Sequence, residues 1–305
     1  MSETERTETE VLEIEEAEAE SASRESSRLA EAAPWLIALL GGIGGVGALG
    51  YLRGRYQNST TYLPDRLPTG VAEVLDHDLE TQDVWLETPD GVHLHGWWMK
   101  RRDALGTFLY CHGSSGSIAH RVDVFERLLR LRMNVFAFDY RGYGKSEGVP
   151  GERGLYTDVR AAYDHVVGPL GQSPLRMILF GHSLGGAVAI DAARDRSVAG
   201  LVVEGSFTDI KEMARALYPQ LPLHWVARNE FRSIEKVAEL DLPKLFIHGT
   251  ADSTVPFEVG RRLYEAAAEP KELYLVPNAG HNDVHLQGGE EYLRRLWRFV
   301  RLCLR

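Results

Sequence analysis

The sequence predicts an α/β fold in which helices cover both faces of a mostly parallel central sheet. From about residue 70 onward, short apolar runs alternate with longer stretches that have the spacing of amphipathic helices. The apolar runs are nearly continuous, which is typical of parallel strands that are buried on both faces. The chain has 305 residues, which is enough for one such domain and an N-terminal extension.

The elements of this pattern can be placed along the chain. The stretch "DVWLETPDGVHLHGWWM" predicts two strands joined at Asp90-Gly91, a pair of residues that favours tight hairpin turns. Further strands are predicted at 107–111, 134–139, 176–181, 200–204, 243–248 and 272–276. Helices are predicted near 118–131, 155–166, 184–194, 257–267 and 289–304. Strands and helices therefore alternate, as expected where helices connect parallel strands.

The first 31 residues differ from the rest of the chain. Residues 1–31 contain eleven Glu and three Arg, a net charge of −8 out of a total of −10. Few of them are apolar, so we expect an acidic disordered tail. The remainder of the chain is nearly neutral and lacks the basic surface that nucleic acids require, so no nucleic-acid partner is expected.

An uncharged apolar segment follows the tail. Residues 34–52, "PWLIALLGGIGGVGALGYL", approach the roughly 20 residues that cross a bilayer. Trp35 and Tyr51 lie near its ends, where interfacial aromatic residues are common. We therefore expect a transmembrane helix at 32–55, a linker at 56–69 and a single-pass membrane protein. Because six glycines weaken a helix here, a Gly-rich linker or processed segment is the alternative.

The arginines on either side of this segment give a weak signal for its orientation. Arg24 and Arg28 precede it, and Arg53, Arg55 and Arg66 follow it. Positive charge accumulates on the cytoplasmic side of a membrane span, so the small excess slightly favours a cytoplasmic main domain.

The two cysteines do not suggest a metal site or a disulfide framework. Cys111 and Cys303 are far apart in the sequence, and no C-x-x-C or Cys/His metal-ligand spacing occurs. We expect both thiols to be ordinary core residues and no metal to be bound.

A serine between two glycines interrupts one of the apolar runs. In "LFGHSLGGAVAI", Ser183 lies between Gly181 and Gly185, after a predicted strand and before a predicted helix. Such a sharp turn forces strained backbone angles and close contacts, so glycine is needed on both sides. The turn would hold the hydroxyl at the carboxyl edge of the sheet, beside the N–H groups of a helix N-terminus. Ser183 is therefore a candidate nucleophile.

A serine nucleophile needs a base, and the base needs an acid that orients it. "KLFIHGTADSTVP" places Asp252 in a loop after a strand, and "ELYLVPNAGHNDV" places His281 in a loop after the next strand. The order Ser183, Asp252, His281 is the one expected for this architecture. Glu204, at the end of a strand, and Asp283, close to His281, are alternative acids.

The stretch "LYCHGSSGS" can supply part of an oxyanion hole. Gly113 lets the backbone approach the reaction centre, and the N–H of Ser114 would act together with that of Leu184. We expect His112 to support this loop rather than to take part in the chemistry.

These stretches together resemble the α/β-hydrolase superfamily, and within it the membrane-anchored group that includes the Bem46-like proteins and α/β-hydrolase domain-containing protein 13. The resemblance covers roughly residues 70–304 and rests on "CHGSSGS", "FDYRGYGKSEG", "FGHSLGGAVAI", "FIHGTADSTVP" and "AGHNDV", in that order. It implies an α/β-hydrolase fold and a cofactor-free Ser-His-Asp hydrolase, often with one N-terminal membrane span. The family's triad falls on Ser183, Asp252 and His281, and its oxyanion loop on Gly113 and Ser114.

The chain departs from the family pattern in two places. Relatives often carry an Asn-containing loop where this chain has Ser114-Ser115, and a Glu-Asn-x-Phe motif where it has Glu204-Gly205-Ser206-Phe207. The first departure lies in the predicted oxyanion loop, so fine substrate preference is not transferred from the family.

The catalytic domain is expected at 70–305, with a cap insertion at about 206–240. Its stretch "MARALYPQLPLHWVARNEF" is rich in large apolar residues and prolines, which favours a small lid over an acyl pocket; a helix pair packed on the domain is the alternative. With a membrane anchor nearby, a lid favours small-molecule acyl esters or thioesters, such as a monoacylglycerol or lysophospholipid, or an S-acylated protein. A serine peptidase of the prolyl-oligopeptidase type and an inactive membrane-tethered interaction module are the alternative functions.

Overall fold

The computed structural model of the protein describes residues 62–64, 80–217, 220 and 230–305. The predicted acidic tail at 1–31 and the predicted transmembrane helix at 32–55 lie outside these residues, as does the middle of the predicted cap insertion. Within the described ranges, no helix has both the length and the apolar character needed to cross a bilayer.

An eight-stranded sheet lies at the centre of the described fold. Its strands are β1 (Glu80–Glu87), β2 (His93–Lys100), β3 (Gly106–Cys111), β4 (Met133–Phe138), β5 (Met177–His182), β6 (Gly200–Glu204), β7 (Lys244–Gly249) and β8 (Lys271–Val276). They pair in the order β8-β7-β6-β5-β3-β4-β2-β1. Strand β2 is antiparallel to β1 and β4, and the other neighbouring strands are parallel. The predicted mostly parallel sheet is confirmed.

Helices occupy the connections between strands. They are α1 (Val122–Arg130), α2 (Glu152–Val167), α3 (Leu184–Ala193), α4 (Ile210–Leu217), α5 (Ser233–Val237), α6 (Phe257–Ala266), α7 (Val284–Gln287) and α8 (Gly289–Cys303). The predicted helix at 118–131 is divided, because a 3-10 turn at Ile118–Arg121 precedes α1. At the start of this turn, the Asp139 carboxylate accepts a hydrogen bond from the N–H of Ile118 at 2.9 Å.

The core lies on both faces of the sheet, which explains the continuous apolar runs. In β5, Ile178 and Phe180 pack into the cluster that includes residues of α1 and α8, whereas Leu179 packs with residues of α2 and α3. All three side chains are 0% exposed. A strand that is covered in this way needs apolar residues at successive positions rather than at alternate ones.

A separate two-residue pairing lies beside the main sheet. Leu63–Pro64 pairs in parallel with Ser115–Gly116, in the register Leu63 to Ser115 and Pro64 to Gly116. The preceding residue, Tyr62, is 1% exposed and belongs to the core cluster. These residues fall within the range 56–69 that we expected to be a linker, and they pack against the folded domain.

Candidate active site

Ser183 lies in a sharp turn between β5 and α3. Its φ of 55° and ψ of −119° are unusual for a residue with a side chain, and such strain costs on the order of 1–3 kcal/mol. Local hydrogen bonds hold the turn in place. The N–H of Ser183 donates to the Glu204 carbonyl at 2.8 Å, and the Ser183 carbonyl accepts from the N–H of Gly186 at 2.9 Å and from Ser206 Oγ at 2.8 Å.

The two glycines that flank the serine have no room for a side chain. A Cβ at Gly181 would lie 2.3 Å from the Gly185 carbonyl oxygen, and a Cβ at Gly185 would lie 1.9 Å from the Cys111 carbonyl oxygen. Both distances are far shorter than van der Waals contact, and both contacts are with backbone atoms that cannot move aside. The expected need for glycine at both positions is confirmed.

The structure brings Ser183, His281 and Asp252 into one hydrogen-bonded chain. His281 follows β8 and Asp252 follows β7, so both lie in loops at the carboxyl edge of the sheet. Nε2 of His281 lies 2.9 Å from Ser183 Oγ, and Nδ1 of His281 lies 2.7 Å from Asp252 Oδ2. With the proton on Nδ1, the imidazole donates to the carboxylate and leaves Nε2 free to accept the serine proton.

The Asp252 carboxylate is itself held in a fixed orientation. Its second oxygen, Oδ1, accepts hydrogen bonds from the N–H groups of Thr254 at 2.9 Å and Val255 at 2.8 Å. Asp252 is 7% exposed, as is Ser183. A fixed and shielded carboxylate can keep the imidazole in one orientation and stabilise a positive charge on it.

The two alternative acids lie elsewhere. The Glu204 carboxylate accepts a hydrogen bond from the Tyr292 hydroxyl at 2.8 Å, and burial raises its pKa to about 7. Asp283 Oδ1 accepts a hydrogen bond from the N–H of Gly280 at 2.7 Å, within its own loop. Asp252 is thus the candidate acid that contacts the His281 ring.

Two buried histidines that the sequence analysis passed over support the site. His182 Nε2 donates to the His281 carbonyl at 3.0 Å, and His248 Nε2 donates to the Val255 carbonyl at 2.9 Å. Burial, more than any other cause, lowers the pKa of both rings, so both stay neutral. The sequence indicates these two histidines only by their position, because His182 lies in the motif that contains Ser183 and His248 lies in the motif that contains Asp252.

The residues predicted to supply the oxyanion donors belong to two segments that adjoin the serine. Leu184 is the first residue of α3, and the first N–H groups of a helix have no acceptor within it. In the other segment, a Cβ at Gly113 would lie 3.3 Å from Ser183 Cβ, so this loop approaches the serine closely. The residue that follows, Ser114, contributes the second predicted N–H.

His112 fixes the orientation of the peptide that carries the Ser114 N–H. His112 Nδ1 donates to the Gly113 carbonyl at 2.7 Å, and the N–H of the same trans peptide points the opposite way. The His112 ring is 0% exposed, and burial lowers its pKa to about 3, so it stays neutral. The expectation that His112 supports the loop is confirmed.

Comparisons with known proteins show which proteins this chain is similar to. The family described as serine aminopeptidase, S33, matches residues 102–235. An uncharacterised protein of Mycobacterium tuberculosis is 39% identical over 221 residues, which cover 72% of this chain and 79% of that protein. The α/β hydrolase domain-containing protein WAV2 of Arabidopsis thaliana is 36% identical over 240 residues, with 72% of this chain and 78% of that protein covered. The solved structure of the Pyrococcus furiosus esterase Pf2001 is similar with a TM-score of 0.66 at 23% identity, covering 79% of this chain and 97% of that one.

Proposed function

This chain belongs to the α/β-hydrolase superfamily, and we propose that it is a serine hydrolase that cleaves carboxylic esters or thioesters through an acyl-enzyme intermediate. The observation that carries the proposal is the hydrogen-bonded chain from Asp252 through His281 to Ser183, with contacts of 2.7 and 2.9 Å. The strained backbone at Ser183 supports it, because such strain is often kept where a side chain has a chemical role.

The proposed reaction proceeds in two stages. His281 Nε2 takes the proton of Ser183 Oγ as this oxygen attacks the carbonyl carbon of the substrate. The resulting oxyanion is held by the N–H groups of Ser114 and Leu184, while Asp252 stabilises the imidazolium. His281 then gives its proton to the leaving alcohol or thiol. Finally it takes a proton from a water molecule, which attacks the acyl-enzyme, and it returns this proton to Ser183 Oγ as the acid is released.

Two features support an acyl or lipid-like substrate. The stretch from Met213 to Phe231 in the cap insertion is rich in large apolar side chains, which suits a lid over an acyl pocket. The uncharged segment 34–52 supports a single-pass membrane anchor, with a cytoplasmic catalytic domain slightly favoured. The expected test result is a rise in kcat/KM as the acyl group lengthens from acetyl to palmitoyl. No dependence on chain length would contradict the acyl-pocket proposal.

Peptide hydrolysis is a second candidate function. The name of the matching family, serine aminopeptidase, favours it, and the same three residues can attack an amide. The match at 102–235 includes Ser183 but ends before Asp252 and His281. A comparison of the turnover rates for an aryl acetate and for a dipeptide anilide separates the two functions. We expect the ester to be the better substrate.

A fluorophosphonate probe tests the proposed nucleophile in the full chain, because it reacts with an activated serine whatever the natural substrate is. We expect rapid labelling of the wild-type protein and none of Ser183→Ala. Ser173→Ala, at an exposed serine before β5, is the control and should label like wild type. Absence of labelling in folded wild-type protein, or equal labelling of Ser183→Ala, would refute the proposal and favour an inactive interaction module.

A further inference from the structure

The short segment Tyr62–Pro64 contacts the oxyanion loop directly. The N–H of Leu63 donates to the Ser114 carbonyl at 2.8 Å, and Leu63 pairs in parallel register with Ser115. This segment lies 38 residues before the start of the family match at residue 102.

Ser114 is held from both sides along the chain. Its own carbonyl accepts two hydrogen bonds, one from the Leu63 N–H at 2.8 Å and one from the Tyr143 hydroxyl at 2.9 Å. The carbonyl of the preceding residue, Gly113, accepts from His112 at 2.7 Å. The Gly113 carbonyl shares a peptide plane with the Ser114 N–H, and the Ser114 carbonyl belongs to the next plane, so the donors to both carbonyls together restrict the φ and ψ angles of Ser114.

Tyr62 anchors the segment through its ring. Tyr62 is 1% exposed and shares a core cluster with Tyr143, the other residue that donates to the Ser114 carbonyl. Its hydroxyl makes no hydrogen bond to any described residue, so apolar packing rather than a polar contact holds the side chain. The buried ring therefore fixes the position from which the next residue, Leu63, donates.

We propose that Tyr62–Pro64 is a positioning element of the oxyanion hole. By holding the Ser114 carbonyl, the Leu63 N–H restricts rotation about the φ and ψ angles of Ser114, and this restriction keeps the N–H of the adjoining Gly113–Ser114 peptide directed at the developing oxyanion. An oxyanion donor is effective only when its direction is fixed before the reaction. This inference rests on the proposed serine-hydrolase function, and it adds a dependence of catalysis on a segment upstream of the main sheet.

The test compares Leu63→Pro with Leu63→Ala in the full chain. Only proline lacks the N–H, and its fixed φ is compatible with an extended strand. The Leu63 side chain is 55% exposed, so alanine removes little packing. We expect kcat of Leu63→Pro for an aryl ester to fall about tenfold below that of Leu63→Ala, because the Ser114 N–H is misdirected rather than lost. The KM values of the two variants should agree within about twofold.

A boronic acid that mimics the tetrahedral intermediate supplies a second readout. Its affinity for Leu63→Pro should weaken by about the same factor as kcat, whereas a merely structural segment would lower the thermal midpoint without this selective loss. If Leu63→Pro does not fold, replacing the Tyr62–Leu63 amide by an ester, with the α-hydroxy analogue of leucine, deletes the same N–H and keeps the side chain.

The outcomes separate this inference from the proposed function. The positioning role is overturned if Leu63→Pro, or the ester variant, has the same kcat and the same boronate affinity as Leu63→Ala. The serine-hydrolase proposal stands in that case. No fluorophosphonate labelling of wild type overturns the proposed function itself.

Discussion

Replacing Asp252 by asparagine tests how the imidazole is oriented. Oδ1 of Asp252 accepts two backbone N–H groups, at 2.9 and 2.8 Å, and an asparagine must keep its carbonyl oxygen there, because an amide NH₂ would face two donors. The asparagine NH₂ then faces His281 Nδ1, which must accept instead of donate. The imidazole proton moves to Nε2, where it points at Ser183 and prevents uptake of the serine proton.

The size of the effect follows from this change of tautomer. In the serine-protease template, the same substitution lowers kcat by about 10⁴, which is roughly 5 kcal/mol in activation free energy. We expect kcat of Asp252→Asn to fall by about 10³–10⁴-fold, because the carboxylate here is similarly buried and lies 2.7 Å from the His281 ring. The fold should survive, since the asparagine side chain can keep both backbone hydrogen bonds to its carbonyl oxygen.

The assay measures kcat for an aryl ester and the second-order rate constant of fluorophosphonate labelling. The thermal midpoint of each variant is measured as well, to show that the variant is folded. Asp283→Asn is the matched control, because its carboxylate contacts the Gly280 N–H in the same loop and not the His281 ring. Its kcat should stay within a few-fold of wild type. A loss of less than tenfold for Asp252→Asn, or a larger loss for Asp283→Asn, would refute the assignment of the acid.

Three further expectations concern the surroundings of the site and the stability of the fold. Burial raises the pKa of Glu204 from 4.5 to about 7, so its contribution to folding is complete below pH 4.5 and is lost as the pH rises to 7. Urea unfolding of Glu204→Gln should therefore lack a decline that wild type shows over this range, on the order of 3 kcal/mol; parallel curves for the two proteins would contradict this. At Gly205, φ is +55° and a Cβ would lie 3.3 Å from the His281 ring. Gly205→Ala should lower stability by about 1–2 kcal/mol and kcat severalfold, and wild-type kinetics would count against it. Arg141→Met leaves the 0%-exposed Asp158 side chain without the guanidinium 2.7 Å away, and the urea midpoint should report a loss of about 3–5 kcal/mol; a loss below about 1 kcal/mol would show that the pair matters little.

The parts of the site that the sequence predicts are those with a local signal. Ser183 lies between two glycines at which an added Cβ would come within 2.3 Å of a backbone carbonyl oxygen. The sharp turn therefore explains both the glycines of the motif and the position of the serine. Asp252 and His281 follow apolar strands, and parallel strands bring their carboxyl ends to one edge of the sheet. Chain order favours Asp252 over Glu204 and Asp283, but the direction in which each side chain points, on which contact with His281 depends, has no local signal.

The contact between Tyr62–Pro64 and the oxyanion loop could not be predicted in the same way. Pairing of Leu63 with Ser115 joins residues 52 positions apart through only two residues on each side. Two residues are too few to show the period of a strand, and the sequence around Tyr62 contains two prolines that favour a linker. Contacts of this kind depend on the tertiary fold, so local sequence patterns do not predict them.

The four histidines around the site have two different roles. Each of three neutral rings donates to a backbone carbonyl of a different loop: His112 to Gly113, His182 to His281, and His248 to Val255. Burial lowers all three pKa values, because it disfavours the charged form of each ring. Only His281 among the four contacts Ser183 Oγ. The supporting rings therefore hold the loops of the site without placing a further charge beside the ring that contacts the serine.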